Sequence, residues 1–422
     1  MQPSFSDLAA EVLHRCDQIA AQSELPGTVC RTFCSHATAG AVRLVSQWMR
    51  GAGLFVGLDA ACNLVGRSAD DHRPWLLIGS HIDSVPNGGK YDGALGVVLA
   101  IATAEMFQAR FEELPFTIHA IAFSEEEGVR FRSPYIGSRA MAGCFDLTLL
   151  DRCDEQGATC RQAMKAFGGD PDRILSAALP TERILAFIEP HIEQGPILES
   201  SGLAVGIVDG IVGQTRATAR FVGRASHAGT TPMSMRQDAM AAAAQWILAV
   251  ESFANATTGL VATVGNVQVI PNVPNVIAGE VAVRLDVRHS SDEVRRSVSQ
   301  HLKAVGQQIA DARGLKFHWE KCEQQDAVAM DKSLVTALEI ACRDASQPIH
   351  HMLSGAGHDA VIMSQIAPTS MLFLRCKGGV SHHPDESVEV KDVEVALQVI
   401  YYFIQELAAK KKSFHPIHRA TK

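Results

Sequence analysis

Residues 75–84 read Trp75-Leu-Leu-Ile-Gly-Ser-His-Ile-Asp-Ser84, an apolar run that ends on a histidine with a carboxylate two residues later. A short, continuous apolar run of this kind is typical of a strand buried on both faces. Histidine and carboxylate are side chains that zinc and manganese accept as ligands, and a carboxylate near a ligand histidine often orients it. The stretch therefore predicts a buried strand with a metal-type ligand at its carboxyl end.

The same pattern recurs at four other places along the chain. These are Asp92 in 87–93, the Glu125-Glu126-Glu127 triplet before Gly128, His191 in 189–195 and His382 in 378–384. Helical patterns over 5–22, 39–52 and 93–110 alternate with strand-like runs at 117–124 and 185–190, which favours an α/β fold with a mixed, mostly parallel sheet. Because such sheets bind ligands at the carboxyl ends of their strands, we expect these side chains to converge.

From residue 213 the pattern changes to strand-helix-strand-strand-helix-strand. The predicted strands are 214–222, 260–270, 276–287 and 315–321, and the predicted helices are 237–253 and 292–312, the second opened by a Ser290-x-x-Glu293 capping box. This order is the ferredoxin-like arrangement. We therefore predict a catalytic domain formed by 1–212 and 329–422, interrupted by an inserted ferredoxin-like dimerisation or lid domain at 213–328.

Composition excludes several classes of function. The 422 residues are 47% hydrophobic and 20% charged, as in an ordinary compact enzyme, and the net charge of -8 gives no basic footprint for nucleic acid. The longest apolar helix candidate, 95–107, is too short for a bilayer and contains Glu105. The first residues lack a signal-peptide pattern, and the ten cysteines form no CxxC pair. We expect a cytoplasmic protein with neither a nucleic-acid nor a membrane partner.

The residue types suggest a paired metal site with five candidate ligands, His81, Asp92, Glu127, His191 and His382. Two divalent cations roughly 3.5–4 Å apart need a bridging carboxylate, and Asp92 is the natural one. Taken singly, each residue has a simpler explanation, such as a hydrogen-bonded loop histidine or a solvated run of acids. The repeated coincidence of an apolar run, a ligand residue and a glycine favours the metal site.

Nine segments together resemble the metal-dependent amidohydrolases of the M20 peptidase clan. The resemblance is greatest to the branch that contains allantoate amidohydrolase, N-carbamoyl-L-amino acid hydrolase and β-ureidopropionase, and it spans nearly the whole chain with its motifs in order. The segments are GSHIDSVPNGGKYDGALGV (79–97), FSEEEGVRF (123–131), GSRAMAG (137–143), EPHIEQGPILE (189–199), GIVGQTR (210–216), GRASHAGTTPM (223–233), PNVIAGEVAVRLDVRH (274–289), SGAGHDA (354–360) and GGVSHHPDES (378–387).

The resemblance implies two divalent metal ions per subunit, for which zinc, manganese and cobalt are all suitable. One ion would be held by His81, Asp92 and His191, and the other by Asp92, Glu127 and His382. The family pattern favours Glu127 over Glu125, because it places the ligand directly before Gly128, and His382 over His383. Glu126 matches the general base, and Asp83 would orient His81.

The resemblance also implies residues that act on the substrate. His227 matches a donor to the oxyanion supplied by the inserted domain, although the residue alone could equally be a turn histidine bonded to its own backbone. Asn275 and Arg288 match a pair that grips a substrate carboxylate. Gln194, Arg216 and His358 match positions near the substrate. The inserted domain pairs two subunits in relatives, so a homodimer is expected.

The implied reaction is cleavage of the carbamoyl C–N bond of a small ureide that carries a carboxylate, with release of ammonia and carbon dioxide. Scaffold segments favour allantoate, a substrate of purine catabolism; N-carbamoyl-L-amino acids and β-ureidopropionate are the alternatives. A dipeptidase or aminopeptidase of the same clan is a further alternative. A metal-binding protein without activity is the rival from another class, and the presence of Glu126 argues against it.

Overall fold

The computed structural model describes residues 4–69, 72–110 and 113–413, with side chains through residue 411. These residues form two compact units. The larger comprises the described parts of Met1–Asp209, Met330–Met352 and Ala356–Lys422, and the smaller comprises Gly210–Ala329 and Leu353–Gly355. No helix among the described residues has both the length and the apolar character needed to cross a bilayer.

The strands follow in chain order. They are β1 (Val29–Arg31), β2 (Phe55–Leu58), β3 (Leu64–Arg67), β4 (Trp75–His81), β5 (Ser84–Gly88), β6 (Thr117–Phe123), β7 (Ile184–Ile192), β8 (Val205–Ile211), β9 (Gly213–Val222), β10 (Ser226–His227), β11 (Val261–Ile270), β12 (Val276–Ile277), β13 (Glu280–His289), β14 (Lys316–Gln325), β15 (Val328–Ala329), β16 (His351–Ser354) and β17 (Thr369–Leu374).

The α-helices alternate with these strands. They are α1 (Phe5–Ala20), α2 (His36–Gly51), α3 (Ala94–Ala109), α4 (Ile136–Met141), α5 (Cys160–Phe167), α6 (Ile197–Ser200), α7 (Ala239–Ala256), α8 (Asp292–Ala312), α9 (Lys332–Asp344), α10 (Ala360–Met363) and α11 (Val390–Ser413).

The main sheet of the larger unit runs in the order β8-β17-β7-β4-β6-β3-β2. The four neighbours β17, β7, β4 and β6 are parallel, whereas β8, β3 and β2 pair antiparallel at the two edges. The α/β class with a mixed sheet is therefore confirmed, and parallel pairing predominates only at the centre. The carboxyl ends of these four strands meet at one edge, where open α/β sheets place their sites.

Helix α3 packs against this central sheet and explains why its sequence is apolar all round. Nearly every residue from Ala94 to Phe107 is buried, and the helix contacts β4, β6 and β7 on one side and α1 and α11 on the other. A helix buried on all sides shows no amphipathic stripe. Asp92 lies just before its N-cap residue, Gly93, so this helix fixes one end of the site.

The smaller unit has a four-stranded antiparallel sheet in the order β11-β13-β9-β14. Helices α7 and α8 cover one face with a core around Trp246 and Leu302, and the alternate residues of β9 and β13 place polar side chains on the other face. Helix α8 has the predicted bounds, but the capping-box prediction is wrong. Ser291, not Ser290, is the N-cap and accepts from the Val294 amide, because its extended backbone lets the hydroxyl reach that N–H.

Candidate metal centre

Four neighbouring parallel strands bring the predicted ligands together. His81 is the last residue of β4, and His191 lies near the end of β7. Glu126 and Glu127 follow β6, and His382 lies in the loop after β17. Because β17, β7, β4 and β6 are adjacent and parallel, their carboxyl ends converge on Asp92 at the start of α3.

Asp92 contacts histidines through both of its carboxylate oxygens. Oδ1 lies 3.4 Å from His81 Nε2 and 3.2 Å from His191 Nε2, and Oδ2 lies 3.1 Å from His382 Nε2. His382 Nε2 is also 3.4 Å from Glu127 Oε1. The two oxygens therefore face two different sets of side chains, which is the arrangement that a bridging carboxylate requires.

The donor atoms of these residues are close enough to share cations. Among the described residues, four groups of potential ligand atoms each lie within 4.8 Å of one another; they are His81/Asp92/His191, Asp92/Glu127/His382, His81/Glu126/Glu127 and Glu189/His191/His358. His191 Nε2 is buried and makes no hydrogen bond. An unpaired buried nitrogen beside a carboxylate costs free energy unless something fills the gap, so this donor set fits a metal ion.

Gly93 permits the close approach of α3 to His81. Its φ of +63° lies in the left-handed region, which other residues seldom adopt, and a Cβ there would lie 2.5 Å from atoms of the His81 ring. Both the backbone and the contact therefore require glycine directly after Asp92.

The buried carboxylates and histidines of this cluster shift one another's pKa. Burial alone would raise the pKa of Asp92, but its close contacts with His191, His382 and His81 hold that pKa well below its ordinary value. Hydrogen bonds to Asp92 and Glu127 raise the pKa of His382 to about 10. A metal ion and a proton therefore compete for the same histidine nitrogens.

Asp83 connects the end of β4 to the loop that carries Glu126 and Glu127. Its carboxylate accepts from the backbone N–H groups of Glu126 and Glu127 at 3.0 and 3.1 Å. Asp83 Oδ1 lies 3.3 Å from His81 Nδ1, and the Asp83 carbonyl oxygen lies 3.2 Å from the same nitrogen. A proton on Nδ1 leaves Nε2 free to face Asp92, which is the tautomer that a metal ligand needs.

Glu126 is a buried acid among other acids. Burial raises the pKa of its carboxyl well above the ordinary value; His81 opposes this shift, and the carboxylates of Glu127, Asp359 and Asp83 add to it. A buried carboxyl with a raised pKa beside candidate metal ligands is a candidate for proton transfer.

The geometry bears on two ambiguities of the sequence, Glu125 against Glu127 and His382 against His383. Glu125 and His383 belong to none of the potential ligand groups found in the described part of the chain, whereas Glu127 and His382 do. Glu125 is buried, and His383 is exposed with its Nδ1 accepting from the Asp385 amide.

Three polar side chains surround the cluster in ways that spacing does not reveal. The Gln194 amide nitrogen donates to Asp92 Oδ2 at 2.8 Å, so this residue contacts the candidate bridge directly. The Ser381 hydroxyl lies 2.9 Å from the same oxygen. Glu189 accepts from the Ser80 hydroxyl and the Ala360 amide, and an acid inside an otherwise apolar strand is the signal that could have identified it.

His358 lies beside the candidate ligand His191. Its ring centroid is 4.5 Å from that of His191, in an edge-to-face arrangement. Burial, and then the proximity of His191, hold the pKa of His358 well below its ordinary value. The ring is therefore neutral at physiological pH.

The predicted residues His227 and Asn275 are neighbours in the smaller unit. Strand β10 pairs with β12 so that His227 lies opposite Val276, and the Asn275 carbonyl accepts from the Ala228 amide. His227 Nδ1 accepts from the backbone N–H groups of Gly229 and Thr230 at 3.0 and 3.2 Å. Because Nδ1 is an acceptor, the neutral ring carries its proton on Nε2, so the turn contact also fixes a donor.

Arg288 and Arg216 belong to one polar cluster on the open face of the same sheet. Arg288 donates two hydrogen bonds to Asp286, at 3.0 and 2.9 Å, and a third to the Gly355 carbonyl at 2.6 Å. Arg216 donates to Asp286 and to Glu323. These side chains line a groove of about 760 Å³. The predicted carboxylate-binding arginine therefore already holds an internal carboxylate.

A family model described as peptidase family M20/M25/M40 matches residues 77–406. The chain belongs to this family. Membership in M20 confirms the resemblance that the sequence motifs indicate and identifies the protein as a hydrolase of that family.

Two relatives and one solved structure show which members of the family this chain resembles. It is 40% identical over 384 residues to N-carbamoyl-L-amino acid amidohydrolase of Geobacillus stearothermophilus, covering 90% of this chain and 94% of the relative. It is 36% identical over 437 residues to allantoate deiminase of Arabidopsis thaliana, covering 96% and 83%. The solved structure of an amidase of the hydantoinase/carbamoylase family from Burkholderia multivorans superposes with a TM-score of 0.88 at 32% identity, covering 95% and 98%.

Proposed function

We propose that this protein is a two-metal amidohydrolase that cleaves the carbamoyl C–N bond of a small ureide bearing a carboxylate, with release of ammonia and carbon dioxide. Allantoate is the proposed substrate. The observation that carries the proposal is the position of Asp92, whose two oxygens face His81 and His191 on one side and His382, beside Glu127, on the other.

The residues present fit two divalent cations, zinc, manganese or cobalt, with His81, Asp92 and His191 around one and Asp92, Glu127 and His382 around the other. When bound, the cations would make a shared water acidic and polarise the ureide carbonyl. Glu126 takes the proton of the attacking water on a carboxylate oxygen and returns it to the departing nitrogen. Asp83 keeps the Glu126 backbone in place through its hydrogen bond to the amide.

The smaller unit contributes two proposed functions. Nε2–H of His227 would donate to the developing oxyanion, because the turn contacts leave the proton on that nitrogen. Arg288, with Asn275, would bind the substrate carboxylate, for which a guanidinium offers two parallel donors. Gln194, Arg216 and His358 are proposed to lie near the bound substrate.

N-carbamoyl-L-amino acids are the second candidate substrates. The 40% identity to an N-carbamoyl-L-amino acid amidohydrolase favours them, since it exceeds the 36% identity to an allantoate deiminase. Both substrates present a carbamoyl nitrogen close to a carboxylate, so the same metal site and the same arginine serve either.

The deciding experiment measures ammonia release by protein reconstituted with zinc, manganese or cobalt. Allantoate, N-carbamoyl-L-amino acids, β-ureidopropionate and dipeptides are compared at equal concentration, and dipeptides are also followed by amine release. We expect turnover of allantoate, loss of that turnover on chelation and its recovery with added metal. Turnover of dipeptides alone, or full activity after complete removal of metal, would contradict the proposal.

The smaller unit is proposed to be a ferredoxin-like domain inserted at 213–328 that pairs two subunits. The strand order β11-β13-β9-β14 supports this topology, and β11 is an edge strand with Val261, Val267 and Ile270 exposed. Exposed apolar residues on a sheet edge favour pairing with another strand. Sedimentation equilibrium should give the mass of two chains, and Val267→Lys should shift it towards one; the mass of one chain for the unmodified protein would rule out the dimer.

A further inference from the structure

Glu386 is a buried carboxylate beside the candidate metal centre that belongs to none of the potential ligand groups of the described residues. Its Oε1 accepts from two successive backbone amides, those of Tyr91 and Asp92, at 2.7 and 3.1 Å. Its Oε2 accepts from the Ser381 hydroxyl at 3.1 Å. One side chain therefore holds the segment before α3 and the loop before His382.

Gly89 makes this contact possible. A Cβ at Gly89 would collide with all three heavy atoms of the Glu386 carboxylate group. Its φ is not in the left-handed range, so the requirement for glycine comes from the contact and not from the backbone. Residues 87–93 therefore both accommodate the Glu386 carboxylate and position Asp92.

Ser381 links Glu386 to the candidate ligand Asp92. Its hydroxyl lies 3.1 Å from Glu386 Oε2 and 2.9 Å from Asp92 Oδ2, so its single hydrogen is shared between two carboxylates. The next residue, His382, has a φ of +54° and faces the same Asp92 oxygen at 3.1 Å. Loss of the Glu386 contact would free both the Asp92 backbone and the start of the His382 loop.

We propose that Glu386 is a positioning residue that keeps Asp92 and His382 at the separation needed to bind the second cation. This inference rests on the proposed function, since it takes Asp92 as the bridging ligand. Carboxylates that bond to backbone amides make strong, charge-assisted contacts, and residues that orient metal ligands commonly contribute 10- to 100-fold, as an order of magnitude, to metal affinity.

The test titrates metal-free protein with Zn²⁺ or Mn²⁺ and measures the stoichiometry and affinity of both sites by calorimetry and elemental analysis. Glu386→Ala should bind one of two cations at least about 10-fold more weakly than the unmodified protein. Glu386→Gln should stay within about 3-fold, because its carbonyl oxygen still accepts from both amides and its amide can bond to Ser381.

Asp392→Ala is the matched control. Asp392 is also a buried carboxylate, but it pairs with the Arg375 side chain, and the described structure shows no hydrogen bond between its carboxylate and Asp92, Ser381 or His382. It should lower thermal stability and leave both metal affinities unchanged. Should Glu386→Ala fail to fold, Gly89→Ala provides the same readout, since its methyl group displaces the Glu386 carboxylate.

Unchanged affinity at both sites in Glu386→Ala, or in Gly89→Ala where the alanine variant does not fold, would overturn the inference. An equal loss of affinity in Asp392→Ala would also overturn it, because the effect would then follow from stability alone. Failure of the proposed function gives a different result, namely two bound cations in the unmodified protein without ammonia release from any ureide. A protein that takes up no cation would overturn both.

Discussion

Charged side chains are grouped in both units, in the candidate metal centre of the larger unit and in the arginine cluster of the smaller unit. The two groups differ in how their charges are balanced. Around Asp92, several acids and histidines lie together, and His191 Nε2 is buried without a hydrogen bond. Around Asp286, Arg288, Arg216 and Gln214 all donate to one carboxylate. The first group offers ligand atoms suited to a cation, whereas the carboxylate of the second already has arginine and glutamine partners.

This difference bears on the part that is proposed for each region in the reaction. The first region has a buried histidine nitrogen without a hydrogen bond, His191 Nε2, and a carboxyl, Glu126, whose raised pKa suits proton transfer. If Arg288 binds substrate as proposed, a substrate carboxylate would replace Asp286 as its partner. Exchange of one carboxylate for another yields a modest net gain, so we expect Arg288 to select among substrates and Glu126 to determine the rate.

The largest expected effect is that of Glu126→Gln. Without a group that accepts the proton of the attacking water, turnover should fall by about 10²- to 10⁴-fold, while both cations remain bound. Steady-state ammonia release and elemental analysis measure the two quantities separately. Loss of metal together with activity would place Glu126 among the ligands.

Glu125→Gln is the matched control for that substitution. Burial, followed by the proximity of Asp83 and Glu127, raises the pKa of Glu125 well above its ordinary value, so glutamine closely mimics its neutral form. The control should retain most of the activity. An equal collapse in both variants would mean that the loop after β6, rather than the Glu126 carboxylate, explains the loss.

The sequence predicts the ligands of the candidate metal centre better than it predicts the contacts that hold them, and the reason is physical. Apolar runs that end in His81, His191 and the Glu126-Glu127 pair indicate strands, and parallel strands must bring their carboxyl ends together. The contact of Gln194 with Asp92, and that of Asp83 with two backbone amides, depend on how separate loops approach. Periodicity carries no information about such approaches.

The polar face of the smaller unit could also be predicted only in part, because periodicity gives the face on which a residue lies but not its partner. Alternation along β13 places Arg284, Asp286 and Arg288 on one face. Alternation does not reveal which partner each arginine chooses, and the structure pairs Arg288 with Asp286 and with the Gly355 carbonyl. The substrate role of Arg288 therefore stays a prediction that needs kinetics.

Arg288→Lys is expected to have the next largest effect. Lysine keeps the charge but loses the two parallel donors, so kcat/KM for acidic ureides should fall by about 10- to 100-fold, mainly through KM. Arg284→Lys, two residues earlier on the same face of β13, is the matched control and should change kcat/KM by less than about 3-fold. Equal kinetics for both variants would remove Arg288 from the substrate site.

His119 is a buried histidine in the same sheet as the candidate metal centre. It allows a test of whether neighbouring charges or burial determine the pKa of a buried histidine. Burial, with Arg67 and Arg183 nearby, lowers the pKa of His119 to about 3 from the ordinary 6.5. At His81 and His191, carboxylates overcome the effect of burial, and the pKa of each is raised. His119 should therefore behave in the opposite way to the candidate ligands when the pH falls.

His119→Gln should remove one acid-sensitive contribution to stability, the smallest of the expected effects. Between pH 6.5 and about 3 the unfolded chain binds a proton that folded His119 does not, so the free energy of unfolding falls as the pH drops through this window. At pH 5 this contribution is about 2 kcal/mol. Urea unfolding at pH 7.5 and pH 5.0 should show a smaller decrease in His119→Gln than in the unmodified protein, whereas His14→Gln, on the exposed side of α1, should show the full decrease. The same decrease in all three proteins would mean that burial of His119 does not control its protonation, and the contrast with His81 and His191 would then lose its basis.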